Sequence, residues 1–291
     1  FIFYRVNQGA FDYYDLMSKN DIIFNITKDE IKKGDEILKK KIPSNNNGIV
    51  LLCCRDAGYY SRYYSEGSWD YLDYRNYDIN IFNETIDYLV NKKYIVLRMG
   101  KHSDQKINFI NEYFIDYINC DWNSDFMDYY LAHKSKFCIT TNTGMDCFAR
   151  LHRKPIASIF FPLEDIYYSQ KNVYNLSGTF TDLNNGKSLN LKEIFRNKLH
   201  KFSVIHNFYN LRLNKKFKFK YNNSSEIRKF IEEVDRRIDS RYVISENDDI
   251  NQRKFWKIFF EMSDNFDDPL FKEREIEKIC NFSYSYLRDN K

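Results

Sequence analysis

The sequence predicts an α/β protein in which helices cover both faces of a doubly wound, Rossmann-like parallel sheet. Short apolar segments such as "IVLLCC" (49–54), "YIVLRMG" (94–100) and "PIASIFF" (155–161) are typical of buried strands. Segments of about 12 residues with helical periodicity lie between them, which is the pattern of βαβ units. The chain has 291 residues, of which 43% are hydrophobic, so it is long enough to bury a core.

The first predicted helix is "KDEIKKGDEILKKK" (28–41), in which Ile31, Ile37 and Leu38 stand on a charged background. Thr27 and Glu30 form a capping box at its start. We expect Gly34 to interrupt or bound this helix. The loop "PSNNNG" then leads into the first strand.

Strands and helices alternate from there to about residue 165. In chain order they are the helix "INIFNETIDYLVNKK", the strand "YIVLRMG", a third strand "YFIDYI", the helix "SDFMDYYLAHKS", the strand "KFCITTNTG", the helix "GMDCFARLHRK" and the strand "PIASIFF". Four later segments predict helices: "SLNLKEIFRNKL", "SSEIRKFIEEVDRRI", "NQRKFWKIFFEMSD" and "LFKEREIEKICNFSYSYL". This order predicts three parts: an N-terminal segment and helix (1–44), a Rossmann-like domain (45–200) and a helical extension packing on it (201–291).

The charge and the cysteine content limit which partners and which cellular compartment we expect. The 45 Lys and Arg are balanced by 41 Asp and Glu, and the two signs are interspersed, so we expect no nucleic-acid partner. The basic run "NKKFKFKYNN" is explained by a lysine-guarded edge strand as well as by a polyanion site. The six cysteines have no metal-ligand spacing, which predicts reduced, buried thiols and a cytoplasmic protein. Because the chain begins at Phe1 without Met, we expect it to be trimmed or a piece of a larger protein.

Polar residues follow each predicted strand, and ligands of open parallel sheets bind at the carboxyl ends of the strands. These residues are Arg55 and Asp56, Arg98 and Gly100, Asp121 and Ser124, and Thr140, Thr141, Thr143 and Gly144. We expect the four strand ends to converge on one crevice.

Two arginines and a turn of hydroxyls suit a diphosphate. A guanidinium is always charged and presents paired donors, and the "TTNTG" turn adds hydroxyls and backbone N–H groups at the start of a helix. For Arg98 the alternative stays open that it pairs with Asp56 or Asp121 in the rim of the sheet.

Several common catalytic motifs are missing. No GxGxxG or GxxxxGK[ST] follows a strand, which disfavours nicotinamide-dependent enzymes and P-loop kinases. GxSxG and HExxH are also missing, so a hydrolase triad or a zinc site is not expected. His133 and His152 fall on predicted helices, where a surface or capping role is the more frequent one.

A loop of roughly 20 residues after the first strand contains "WDYLDYRNYDI", and long loops on such scaffolds are often functional. Arg75 and Asp78 are its best polar candidates for contacting a substrate. Asp78 is also placed to cap the helix that starts at Ile79.

The order of "IVLLCCRDAGYY", "DYRNYDINIFNETIDYLVNKKYIVLRMG" and "SDFMDYYLAHKSKFCITTNTGMDCFARLHRKPIA" resembles a family of bacterial glycosyltransferases of surface-polysaccharide biosynthesis. The matching residues are Arg55 and Asp56, Arg75, Asn76, Asp78 and Ile79, and Arg98, Met99 and Gly100. Cys53 replaces the family's usual histidine. The resemblance covers roughly residues 21 to 200, and the ending "FSYSYLRDNK" fits the family's closing segment loosely.

The resemblance implies a GT-B-like donor domain, distantly similar to that of α1,6-fucosyltransferases, whose acceptor lobe is short or missing here. By that analogy Arg55 grips the β-phosphate of a nucleotide sugar, and Thr140, Thr141 and Thr143 line the same group. Asp56 is the candidate base, although it could instead pair with Arg55 or Arg75. Arg98, Ser124 and Gly144 complete the predicted phosphate site.

The expected activity is therefore metal-independent transfer of a sugar from a nucleotide-diphosphate donor, with no cofactor. The expected partners are the donor and a glycan or lipid-linked acceptor, and a missing N-terminal part would allow peripheral association with the inner face of the membrane. The alternatives are a nucleotide-sugar epimerase or hydrolase, and a non-catalytic binding module of glycan assembly.

Overall fold

The computed structural model of the chain describes residues 20, 22, 25–64, 66, 73, 75–159, 163, 171–201, 216–262 and 280–289. Within them, the helices are α1 (Lys28–Lys41), α2 (Gly58–Tyr63), α3 (Asn83–Asn91), α4 (Asp125–Lys134), α5 (Asp146–Leu151), α6 (Leu191–Arg196), α7 (Ser224–Ile238), α8 (Glu246–Met262) and α9 (Tyr284–Asp289). The strands are β1 (Ile49–Cys53), β2 (Ile95–Arg98), β3 (Phe114–Ile115), β4 (Ser135–Thr140), β5 (Ile156–Ile159), β6 (Val173–Leu176), β7 (Thr179–Asp182), β8 (Phe217–Lys220) and β9 (Asn281–Phe282). Two 3₁₀ turns, Ile79–Phe82 and Tyr117–Asn119, precede α3 and α4.

The chain divides into two compact units. The larger unit comprises Ile22–Phe160 and Tyr221–Val243, and the smaller unit comprises Phe1–Asp21, Phe161–Lys220 and Ile244–Lys291. The predicted division at residues 44 and 200 remains a prediction.

The larger unit is a Rossmann-like α/β structure built on parallel strands in the order β3-β2-β1-β4-β5. All five residues of β1 are buried. Because successive side chains of a strand point to opposite faces, both faces of the sheet are covered at β1. Helix α4 packs against β1 and β4, and α3 packs against β2 and against α7. The predicted α/β class with a parallel sheet is confirmed.

Helix α1 shows how a sequence signal and packing combine. Its capping box is confirmed, since Thr27 Oγ1 accepts from the Glu30 N–H and Glu30 accepts from the Thr27 N–H. Gly34 does not interrupt the helix. It is buried against the Tyr130 ring of α4, and a Cβ at this position would overlap that ring. Gly34 therefore allows the close approach of α1 to α4.

The smaller unit contains the parallel pair β6 and β9 and the antiparallel pair β7 and β8. In β8 the exposed Lys218 and Lys220 alternate with the half-buried Phe217 and Phe219, which fits the predicted lysine-guarded strand. The core of the smaller unit is aromatic, and the Phe255 and Phe282 ring centroids lie 4.1 Å apart.

Three further predictions need correction, two about secondary structure and one about the cysteines. The third strand covers only Phe114–Ile115, because the following residues form a 3₁₀ turn. The predicted helix over 270–287 is wrong at Asn281–Phe282, which form β9; its residues 270–279 lie outside the described residues. All six cysteines are free, but only Cys53, Cys138 and Cys280 are buried, so the expected burial of all the thiols is wrong. In the described part of the chain, no helix combines the length and hydropathy that crossing a bilayer requires.

Candidate functional site

A cavity of about 280 Å³ lies in the larger unit, beyond the carboxyl ends of β1, β2 and β4. One part of its lining is polar and comes from the three segments that follow these strands: Arg55, Asp56, Lys101, His102, Thr143 and Gly144. The other part is less polar and comprises Cys54, Tyr59, Tyr60, Met99, Gly100, Ile118 and Met145. The predicted crevice at the strand ends is thus present, but Asp121 and Ser124, the residues expected from the third strand end, do not line it.

Arg55 lies two residues after the end of β1, and its backbone is fixed on both sides. Its N–H donates to Thr141 Oγ1 at 2.8 Å, and its carbonyl accepts from the Tyr77 N–H at 3.0 Å. The guanidinium carbon lies 4.8 Å from the centre of the Tyr60 ring, within the range of a cation–π contact. The strand end and the α2 aromatic therefore hold a permanent positive charge in the cavity wall.

Asp56 also lines the cavity, but only 8% of it is exposed. Its Oδ1 accepts from the Gly58 N–H at 3.0 Å, and its Oδ2 accepts from the Ser103 hydroxyl. A Cβ on Gly58 would lie 2.7 Å from the Asp104 backbone nitrogen, so glycine permits the close approach of this loop. Both carboxylate oxygens thus have protein donors, and these contacts position the start of α2.

The Arg98 side chain does not line the cavity. It is 2% exposed, donates to the Gln105 carbonyl at 3.0 Å and to Ser103 Oγ, and lies 3.5 Å from Asp116. The alternative reading, a pairing in the sheet rim, is the better description, except that its carboxylate partner is Asp116. Arg98 reaches Asp56 only through Ser103.

The "TTNTG" turn divides its residues between support and cavity. Thr140 is buried and donates to Asp146 at 2.8 Å, and Thr141 accepts from the Arg55 N–H. Thr143 and Gly144 line the cavity. Thr140 and Thr141 therefore stabilise the turn through their hydrogen bonds. Thr143 and Gly144 are the residues of the turn that a ligand in the cavity could contact.

Three other predicted residues have local structural roles. Ser124 caps α4 by accepting from the Met127 N–H at 3.3 Å, and it does not line the cavity. Asp78 accepts from the Asn80 N–H at 2.9 Å and caps the 3₁₀ turn, as predicted. Arg75 donates from Nη2 to the Asn142 carbonyl at 2.6 Å, so it contacts the "TTNTG" turn rather than the cavity. Most of the loop before it, residues 65, 67–72 and 74, lies outside the described residues.

Lys101 is a cavity cation that the sequence analysis missed. Its Nζ lies 2.9 Å from Asp128 Oδ2 and also contacts Asp125. Burial disfavours the charge of Lys101, but the hydrogen bonds and charges of the two aspartates outweigh it and raise its pKa. Lys101 is therefore protonated at neutral pH. The signal that could have found it is its position, directly after Gly100 at the end of β2.

His102, Tyr59 and Tyr60 were also missed. The His102 Nε2 atom lies 3.0 Å from Asp104, and its Nδ1 atom lies 3.4 Å from Arg62 Nη1. The two tyrosines belong to α2, which has no sequence signal beyond its aromatic content. Cys54 is not set up as a nucleophile, because burial raises the pKa of its thiol well above its usual range.

The cavity thus combines two cations with a hydroxyl and glycine turn, which is an arrangement suited to an anion. In the part of the chain that the structure describes, no three His, Cys, Asp or Glu side chains form a group that could hold a metal ion. Comparisons with known proteins found no matching family model, no similar curated protein and no similar solved structure.

Proposed function

We propose that this chain binds the diphosphate of a nucleotide sugar in the cavity and acts as a glycosyltransferase of surface-polysaccharide synthesis. The observation that carries the proposal is the placement of Arg55 and Lys101 in one cavity with Thr143 and Gly144, at the carboxyl ends of three parallel strands. Ligands of open α/β sheets bind at this edge, and the Arg55 guanidinium and the Lys101 ammonium can both donate to a diphosphate, with Asp125 and Asp128 already paired to Lys101.

The same groups fit the chemistry of sugar transfer. The bond between C1 of the sugar and the diphosphate oxygen breaks, and its electron pair stays on the leaving diphosphate. The acceptor hydroxyl oxygen forms the new bond to C1 and gives up its proton. Arg55 and Lys101 would stabilise the charge that grows on the leaving group, and this role requires no metal.

Asp56 is the carboxylate of the cavity that could take the acceptor proton. Its two oxygens already accept hydrogen bonds from the Gly58 N–H and the Ser103 hydroxyl. A charged carboxylate can still accept at its remaining lone pairs. In the proposal Asp56 is the base, and the acceptor is a glycan or a lipid-linked sugar.

A non-catalytic binding module is the second candidate, and the same contacts of Asp56 favour it. If Asp56 only positions α2, the cavity would bind a nucleotide sugar without a base to activate an acceptor. An epimerase or hydrolase would use the same cavity and turn over the donor without any acceptor. Turnover of a nucleotide sugar with and without added glycan separates these functions.

Binding of nucleotides tests the proposal. We expect at least one of GDP, UDP and CDP to raise the melting temperature of the protein, because a ligand that binds only the folded state stabilises it. The Arg55→Ala variant should lose most of this shift. Arg236→Ala is the matched control, since Arg236 lies on α7, about half exposed, in an ion pair with Glu232. If no nucleotide shifts the wild-type protein, or if Arg55→Ala shifts as much as wild type, the proposal fails.

The proposed compartment is the cytoplasm. It suits a nucleotide-sugar donor and the six free cysteines. Association with the inner face of the membrane remains part of the proposal, to be tested by fractionation of cells that express the full-length protein.

A further inference from the structure

The cavity has an apolar wall that a bound diphosphate would not contact. Tyr59, Met99, Ile118 and Met145 line it beside the cations. A diphosphate alone would meet only the polar side. A ligand that fills the whole cavity must therefore carry an apolar or aromatic group next to its charge.

Tyr59 is the side chain of this wall best placed to meet such a group. It lies in the cavity lining and is 39% exposed. Its neighbour Tyr60 already has the Arg55 guanidinium over its ring. The stacked guanidinium places the charge of the site directly beside the two tyrosines, so a ligand bound to Arg55 has Tyr59 next to it.

The Tyr59 ring is held by its neighbours on α2. The Tyr60 ring meets it edge-on, with centroids 5.8 Å apart and an interplanar angle of 87°. The Tyr63 ring lies at 4.9 Å and is tilted by 46°. A ring held in this way loses little conformational freedom when a ligand stacks on it, which favours binding.

We propose that Tyr59 and the apolar wall beside it bind the nucleobase of a nucleoside diphosphate whose phosphates contact Arg55 and Lys101. The inference rests on the proposed function and assigns the part of the ligand that the cations do not bind. An aromatic base is favoured over an acceptor sugar because Tyr59 lines the same cavity as the cations that bind the diphosphate, and the base belongs to the same ligand as that diphosphate. Stacking of a base on an aromatic side chain contributes about 1–3 kcal/mol, or roughly 5- to 150-fold in affinity.

Calorimetric titration with inorganic pyrophosphate and with GDP, UDP and CDP tests this assignment. The wild-type protein should bind the tightest of these nucleotides at least about 5-fold more tightly than pyrophosphate. Tyr59→Ala should lower the affinity for that nucleotide by about 5-fold or more and leave pyrophosphate affinity unchanged. Tyr59→Phe keeps the ring and should bind both ligands as wild type does. The unchanged pyrophosphate affinity also shows that the variant is folded at the site.

Ile110→Ala is the control, because Ile110 is fully exposed in the larger unit and does not line the cavity. It should change the affinity for the tightest nucleotide by less than about 3-fold, within the range of ordinary surface substitutions. If pyrophosphate binds and none of GDP, UDP and CDP binds more tightly, the nucleobase assignment fails and the diphosphate site stands. The assignment also fails if Tyr59→Ala leaves the affinity for the tightest of these nucleotides intact or weakens pyrophosphate equally. If pyrophosphate and all three nucleotides fail to bind the wild-type protein, the proposed function fails as well.

Discussion

The Arg75 guanidinium donates a hydrogen bond of 2.6 Å to the backbone carbonyl of Asn142, linking the end of the loop after β1 to the turn after β4. Asn142 has a φ of 59°, a left-handed conformation that costs energy for residues with a side chain. The next two residues, Thr143 and Gly144, line the cavity. Arg75 therefore stabilises the turn without lining the cavity itself.

Removal of the Arg75 side chain should weaken anion binding indirectly. A hydrogen bond from a charged donor contributes about 1.5–3 kcal/mol, and part of that energy holds the turn. We expect Arg75→Ala to lower pyrophosphate affinity about 3- to 10-fold, measured by calorimetry. The control is Arg228→Ala, a partly exposed arginine of α7. Unchanged pyrophosphate affinity in Arg75→Ala would show that the turn keeps its shape without this contact.

Substitution of Asn142 tests the backbone conformation of the turn. Its Oδ1 is buried and has no hydrogen-bond partner among the described residues, so the side chain contributes little through that atom. Glycine adopts positive φ without strain, so Asn142→Gly should change the free energy of unfolding by less than about 0.5 kcal/mol. Asn142→Ala should destabilise by about 1 kcal/mol. Urea denaturation measures both values, and equal stabilities of the two variants would contradict the argument.

A methyl group at position 34 should disturb the packing of α1 on α4. Alanine has the better helix propensity by about 1 kcal/mol, but its Cβ would overlap the Tyr130 ring. Overpacking costs about 1–3 kcal/mol, so we expect Gly34→Ala to destabilise the protein by up to about 2 kcal/mol in urea denaturation. Lys32→Ala, at an exposed position of the same helix, is the control and should be nearly neutral. A stabilised Gly34→Ala variant would mean that the two helices move apart at little cost.

His152 should make stability depend on pH. Burial, followed by the charges of His133 and Lys154, lowers the pKa of His152 from 6.5 to about 4. Between these two pH values the unfolded chain binds a proton that the folded chain does not, so stability falls as pH decreases from 6.5 towards 4. We expect the protein to lose about 2 kcal/mol of stability between pH 7 and pH 5 through this group. Urea denaturation at pH 7 and pH 5 measures it.

The control for this pH effect is His152→Leu, which removes the titrating group and should flatten the dependence between pH 5 and 7. The His152 Nε2 atom has no hydrogen-bond partner among the described residues, so the apolar substitution leaves no new donor or acceptor unpaired there. An unchanged slope in the variant would assign the dependence to other groups.

The sequence predicted the central sheet because its strands carry strong local signals. The unbroken apolar run of β1 could only be buried on both faces, and the capping boxes of α1 and α7 mark real helix starts. At 281–282 the sequence predicts helix, because the apolar spacing is ambiguous over so short a length. The pairing of this segment with β6 is a tertiary contact that periodicity does not report.

The site was predicted in outline and not in detail. The strand-end rule correctly brought Arg55 and Thr143 to one cavity. It could not tell that Arg98, also at a strand end, turns inward to Gln105 and Ser103, since that depends on how the following loop folds back. The same loop places Lys101 in the cavity wall, and α2 places Tyr59 there. Neither position follows from spacing along the chain.

A crystal structure with a bound nucleoside diphosphate would show whether the cavity is the diphosphate site. We expect the diphosphate in the cavity after β1, β2 and β4, with a phosphate oxygen within about 3 Å of the Arg55 guanidinium. Lys101 or the Thr143 and Gly144 turn should contact the same group. A diphosphate bound elsewhere on the protein, with Arg55 still stacked on Tyr60 and not touching it, would contradict the claim.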